Sequence, residues 1–143
     1  MQIDLNEQFQ KAQDIILNQD ASMDELSAAF DIFTAFQNMR PRDPSTMFGL
    51  ATTCARRKQY AMAVLLYEIY LKIESEPYKQ GGAYLNIGQI YHDDGKKEIS
   101  IGYFKKAVEC CEGVENEDAE YTLRAANINI AGSALSTGKP EAA

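Results

Sequence analysis

Histidine is nearly absent: the chain of 143 residues has 1, His92, set beside Asp93 and Asp94. A metal site built there needs two or more further ligands from elsewhere in the chain. No metal site is expected, and a solvated helix end is the plainer reading. Proline is scarce as well, at 4 residues. Pro41, Pro44 and Pro77 stand near expected helix ends, and Pro140 falls in the tail. Cysteine occurs 3 times, at Cys54, Cys110 and Cys111. An odd number with one adjacent pair does not make a disulfide framework. The pair reads either as a redox or metal hook or as two small apolar residues on one helix. Phosphate-cradling runs of the G-x-x-x-x-G-K-[ST] or G-x-G-x-x-G kind are missing, and Gly81-Gly82 merely precedes a helix. No serine, cysteine or lysine has a base partner close by in sequence. No catalytic residue, no enzyme activity and no cofactor are expected.

Long apolar runs are missing too. The longest, Tyr60 to Ile73, is broken by Glu68 and Lys72 and is too short to span a bilayer. Basic excess is absent, since the formal net charge is −7. Nucleic-acid binding needs a basic surface that displaces counterions, and an anionic membrane would repel this chain. Asp4 and Glu7 lie where a secretory signal would need basic and then apolar residues. The expectation is a soluble, cytoplasmic protein that contacts neither nucleic acid nor membrane. Hydrophobic residues make up 45% of the chain, enough for a packed core. Its length is one domain's worth, able to bury roughly two thirds of its unfolded surface.

A period organises what is present. Tyr84, Ile87, Gly88 and Tyr91 recur at helical spacing, Gly95 follows as a turn, and Ser100, Phe104 and Ala107 continue on a second helix. Upstream, Met47, Leu50, Ala51 and Cys54 stand in the same order, followed by Tyr60, Ala63, Tyr67 and Tyr70. A weaker copy opens with Gln13, Ile16 and Leu17 and continues through Leu26, Ala29, Phe33, Phe36 and Pro41. The step from Ala29 to Ala63 is 34 residues and that from Ala63 to Ser100 is 37, which places an insertion of about three residues near Glu76 to Gly81. Small residues at Ala29, Ala63 and Gly88 let paired helices approach, and Phe33, Tyr67 and Phe104 fill the gap to the next pair.

In order and spacing this pattern resembles the tetratricopeptide repeat. The resemblance implies an all-α, right-handed superhelix of about three antiparallel helix hairpins with a C-terminal capping helix. One domain over 1–137 is expected, with repeats at about 10–43, 44–80 and 81–114 and a capping helix over 118–135. The first helix is expected to begin within Met1 to Phe9. The cap's buried side is expected to carry Tyr121, Ala125, Ile128 and Ala131. Residues 138–143 are expected to be a disordered tail. The acidic stretch from Glu109 to Glu120 reads as a solvated turn placing carboxylates before the last helix, where the helix dipole favours them. An acidic docking patch is the sharper alternative.

In such an array the first helices of successive hairpins line a concave side. Positions left over after packing are Asp14 and Asn18, then Ser45, Phe48, Thr52, Ala55 and Arg56. In the third repeat they are Gly82, Leu85, Gln89 and His92, and in the cap Thr122 and Ala126. Asn18, Phe48, Thr52, Arg56, Leu85, Gln89, His92 and Thr122 are the candidate partner-binding residues. Apolar knobs mixed with amide, hydroxyl and imidazole groups suit an extended peptide. Simple exposure is the plainer reading of the same residues. The lysine, asparagine and arginine clamp of chaperone-binding repeats is not matched: its positions here are Asp14, Asn18, Gly49, Gly82 and Asn86.

The stretch M-F-G-L-A-T-T-C-A-R-R-K-Q-Y-A-M-A from Met47, then Leu65-Leu66-Tyr67, Glu76-Pro77 and the ending F-K-K-A-V-E resembles the class II chaperones of bacterial type III secretion. The resemblance covers about residues 45–110. It implies an acidic bacterial cytoplasmic protein, tied to virulence, that holds a secreted translocator or effector client by a proline-containing segment in its groove. A longer N-terminal arm helps form dimers in that family, whereas here the repeat starts near Gln10; a homodimer is left open. Phe48, Thr52, Leu85 and Gln89 carry over as client contacts. The alternative is a generic repeat scaffold or regulatory adaptor between folded partners.

Overall fold

The computed structural model describes residues 5–36 and 44–136. Those residues form seven α-helices and no strand. They are α1 (Leu5–Leu17), α2 (Met23–Phe36), α3 (Pro44–Arg56), α4 (Tyr60–Ile73), α5 (Pro77–Asp93), α6 (Lys97–Cys111) and α7 (Glu117–Ser136). The chain divides into two compact units, Met1–Ile73 and Glu74–Ala143. The expected tail, Pro41 and the side chain of Phe36 lie outside the described residues.

In the first unit α1 packs on α2 and α3, and α4 packs on α3 and α2. A reciprocal cap starts α2: the Ser22 hydroxyl accepts the Glu25 N–H at 3.1 Å, and the Ser22 N–H donates to the Glu25 carboxylate at 3.2 Å. Proline opens α3, at the one helical position where a missing N–H does no harm. The face of α3 formed by Met47, Leu50, Ala51 and Cys54 is buried. Burial on α4 is wider, taking in Met62, Ala63, Leu66, Tyr67, Ile69 and Tyr70, because two helices cover it. Ala29 and Phe33 are fully buried, and Phe9 meets the Phe33 ring edge-on at 5.5 Å. On α1 the buried residues are Ala12 and Ile16, whereas Leu17 is 52% exposed. The expected opening with Gln13, Ile16 and Leu17 is therefore off in register. The stripe is Phe9, Ala12 and Ile16, and Leu17 ends the helix beyond the core.

In the second unit α5, α6 and α7 each touch the other two. Pro77 again occupies a first-turn position. The helix α5 is 17 residues long against 13 for α3, with only 74–76 before it. The extra length is thus helical and not a loop. A β-carbon added at Gly88 would lie 2.7 Å from Cδ1 and Cε1 of Phe104, and one at Gly81 would lie 2.6 Å from the Cys111 sulfur. Only glycine admits such contact. The unit's core joins Leu85, Phe104, Ala107 and Ala126. On α7 the buried residues are Ala119, Thr122, Ala126 and Ser133, while Tyr121 and Ile128 are 63% and 64% exposed. The expected inner face of α7 is corrected at Tyr121 and Ile128, while Ala125 does pack against the core: two neighbouring helices approach closely enough to favour the small side chains. Asn116 caps α7 by accepting the Ala119 N–H at 2.7 Å, and Glu117, Asp118 and Glu120 fill its first turn.

The turns after α3 and α5 share one design. Gly95, at φ 80°, follows α5; its N–H bonds the His92 carbonyl, and the Lys96 N–H bonds that of Tyr91. After α3 the same pair of bonds runs from Lys58 to Ala55 and from Gln59 to Cys54, and Lys58 holds φ 61°. A side chain in that region costs on the order of 1 kcal/mol. Gly95→Ala is expected to lower unfolding free energy by about 1 kcal/mol and Lys58→Gly to raise it by a smaller amount, since glycine carries its own entropic cost, both read from urea midpoints. Gly88→Ala should cost about 1–3 kcal/mol despite alanine's higher helix propensity, and Phe104→Leu in the same chain should recover part of that loss.

Candidate functional site

The expected binding residues of the first unit fall on α3 and in the turn after α1. Phe48, Thr52 and Arg56 follow one another at four-residue steps along α3. The Phe48 ring is half-buried and meets Tyr67 edge-on at 5.4 Å and Tyr70 at 5.2 Å. Thr52 donates to the Phe48 carbonyl at 2.9 Å, so in its 2.9 Å contact with the Tyr67 hydroxyl the tyrosine is the donor. Arg56 is exposed at the end of the stripe. Asn18 is occupied otherwise. Its side chain accepts the Asp20 N–H at 3.0 Å and its carbonyl accepts the Ala21 N–H, which closes the turn after α1.

The second unit separates its expected residues into two groups. Gln89 and His92 are half-exposed on α5, with Gln89 donating to Asp93 at 2.9 Å. The Nδ1 atom of His92 is enclosed without a hydrogen-bond partner. Leu85, by contrast, is 8% exposed in the core, and Thr122 and Ala126 are buried with it. These three do not line an open face. The repeat alignment expects them on the open side, whereas Leu85 packs with Phe104, Ala107 and Ala126 in the core.

Two arrangements escaped the sequence reading. Arg57, next to the expected Arg56, sends its guanidinium back to α1. Nη1 donates to the carbonyls of Ile16 and Asn18 and Nη2 to that of Leu17. It thereby satisfies carbonyls that the end of α1 leaves without helical partners. Nothing in the pair of arginines distinguishes one from the other in sequence. On the second unit a tyrosine ladder spans α5 and α6. Tyr91 stacks on Tyr103 at 5.4 Å and 9°, and Tyr84 lies 6.3 Å from Tyr103. The Lys106 ammonium sits 5.2 Å from the Tyr103 ring centre and 5.5 Å from that of Tyr84. The period of seven from Tyr84 to Tyr91 is a visible signal, but their partners lie on the next helix.

The thiols are poorly placed for chemistry. Burial pushes Cys54 up to about 12, against a partial pull downward from the Arg57 charge. Cys110 is raised by burial and then by Glu109; Cys111 is raised by burial and by Cys110, with a Thr122 hydrogen bond opposing. Thiolate is the nucleophile and the metal ligand, and each of these shifts disfavours it at neutral pH. All three cysteines are free. Among the described residues no group of three or more His, Cys, Asp or Glu side chains converges on a point, and no helix is long and apolar enough to cross a membrane. Comparison with protein-family models, curated proteins and solved structures finds no match to this chain.

The Cys54 shift sets a pH dependence. Above its ordinary value of 9.0 the unfolded chain releases this proton while the folded chain keeps it up to about 12. The unfolded state then binds fewer protons, so stability falls as pH rises through that window. Cys54→Ala is expected to start less stable, because it leaves a small cavity, yet to lose stability less steeply between pH 9 and pH 11, measured by urea unfolding across a pH series.

Proposed function

We propose that this chain is a non-catalytic binding module of tetratricopeptide type, acting in the bacterial cytoplasm as a chaperone. Its client is a secreted, translocator-type protein held by an extended segment. The observation that carries the reading is the stripe along α3. Phe48, braced edge-on by Tyr67 and Tyr70, offers a half-exposed aromatic shelf, and Thr52 and Arg56 continue it with a hydroxyl and a charge. An extended strand needs that combination, an apolar seat for a side chain with polar groups for its backbone.

Packing supports the repeat assignment. Ala29, Ala63 and Ser100, spaced along the chain by 34 and 37 residues, are all buried. In each unit the helix that follows a hairpin rests on it, α3 on α1 and α7 on both α5 and α6. A second reading, an adaptor between folded partners, draws on the tyrosine ladder. Half-exposed rings topped by lysines supply the aromatic area that protein interfaces favour.

Affinity capture from the host, followed by client solubility on co-expression, tests the chaperone reading. The wild-type chain should retain an aggregation-prone secreted protein. Arg56→Glu, on an exposed side chain, should reduce retention about 10-fold with thermal unfolding unchanged. Phe48→Ala should abolish retention, with circular dichroism checking that the helices persist. Indifference of the wild type to every secreted protein of its host sinks the proposal; so does full retention by both variants.

A further inference from the structure

In the first unit, the turn after α1 and the turn after α3 lie side by side and enclose a cleft of about 390 Å³. Small-molecule sites span about 300–1,000 Å³. Its apolar lining comes from Ile16, Ala21, Met23, Leu26 and Cys54. Met23 lines it while 73% exposed, and Leu17, 52% exposed, stands between the lining residue Ile16 and the lining residue Asn18. Met23 is thus a large apolar side chain at the cleft that no core claims.

The polar lining is one-sided in charge. It comprises Asn18, Gln19, Arg57 and Gln59, with no carboxylate, in a chain whose net charge is −7. A guanidinium has five N–H groups, and three of those on Arg57 point at the carbonyls closing α1. The remaining two are carried by Nε and Nη2 of a side chain that lines the cleft. Nε and Nη2 are the pair of nitrogens that can match both oxygens of a carboxylate. No hydrogen bond engages the side-chain amides of Gln19 or Gln59 among the described residues. Asp20, exposed in the same turn, disfavours a second anionic group on the ligand.

We propose that this cleft binds a small free monocarboxylic acid with an apolar body, such as a medium-chain fatty acid. The carboxylate takes the open fork of Arg57, the Gln19 and Gln59 amides add donors, and the hydrocarbon lies against Ile16, Met23 and Leu26. The inference stands apart from the chaperone reading, since Asn18 alone is shared with the expected groove residues.

A methyl-resolved NMR titration with octanoate tests it. Octanoate should shift the methyl signals of Ile16, Ala21, Met23 and Leu26, and octanamide should bind about 10-fold more weakly for want of charge. Arg57→Lys should lose the fork, but it also loosens the closure of α1. The cleaner variant is therefore Gln59→Glu, whose turn is closed by a backbone bond to Cys54 and whose new charge faces the ligand. It should weaken octanoate about 10-fold with the melting temperature unchanged. Three results overturn the proposal: no shift in the folded wild type up to about 10 mM octanoate, far weaker than a functional site; equal binding of octanamide; or binding of a peptide with a free C-terminal leucine where octanoate fails.

Discussion

The second unit depends on how near α5 can come to α6. Gly88 removes the one carbon that would strike the Phe104 ring, and Gly81 does the same toward Cys111. With both gaps closed, Phe104 reaches through to Leu85, Ala107 and Ala126, so the same ring that joins the hairpin also seats α7. A seam this close has consequences for α7. Its buried positions carry small side chains, Ala119, Thr122, Ala126 and Ser133, Ile130 packs at the margin of the core, and the large Tyr121 and Ile128 are turned out to solvent.

This chain of constraints explains what could be read from the sequence. The small and large pairs at Ala29 and Phe33, and at Ala63 and Tyr67, each four residues apart, are buried, as are Gly88 and Phe104 on facing helices, because a close helix contact restricts side-chain size. The glycine turn at Gly95 was equally legible, since few residues tolerate its backbone conformation. Its counterpart at Lys58 was not, because there the chain accepts the strain with an ordinary side chain. The face of α7 was misjudged for a different reason. Its large apolar residues follow helical spacing as well as its small ones do, and periodicity alone does not say which set meets a neighbour.

Surface residues follow the opposite logic, and so the candidate site was less legible than the fold. A groove position is defined by what packing leaves unused. Arg56 is exposed and Phe48, Thr52, Gln89 and His92 are half-buried, whereas Leu85 and Thr122 belong to the core. Phe48 and Thr52 on α3 meet Tyr67 and Tyr70 of the following helix, so this surface is a property of the helix pair. A pattern read along one helix at a time recovers half of such a surface.

Arg57 shows how a structural role can create a chemical one. Its guanidinium is held in place because the end of α1 has carbonyls without helical partners. Once held, it has lost the side-chain freedom that an exposed arginine must give up on binding an anion, and it lines the cleft already ordered. An acid seated there joins the same junction that ties the turn after α1 to the turn after α3. Binding and the stacking of the first two hairpins are then linked through one side chain, and whatever strengthens one strengthens the other.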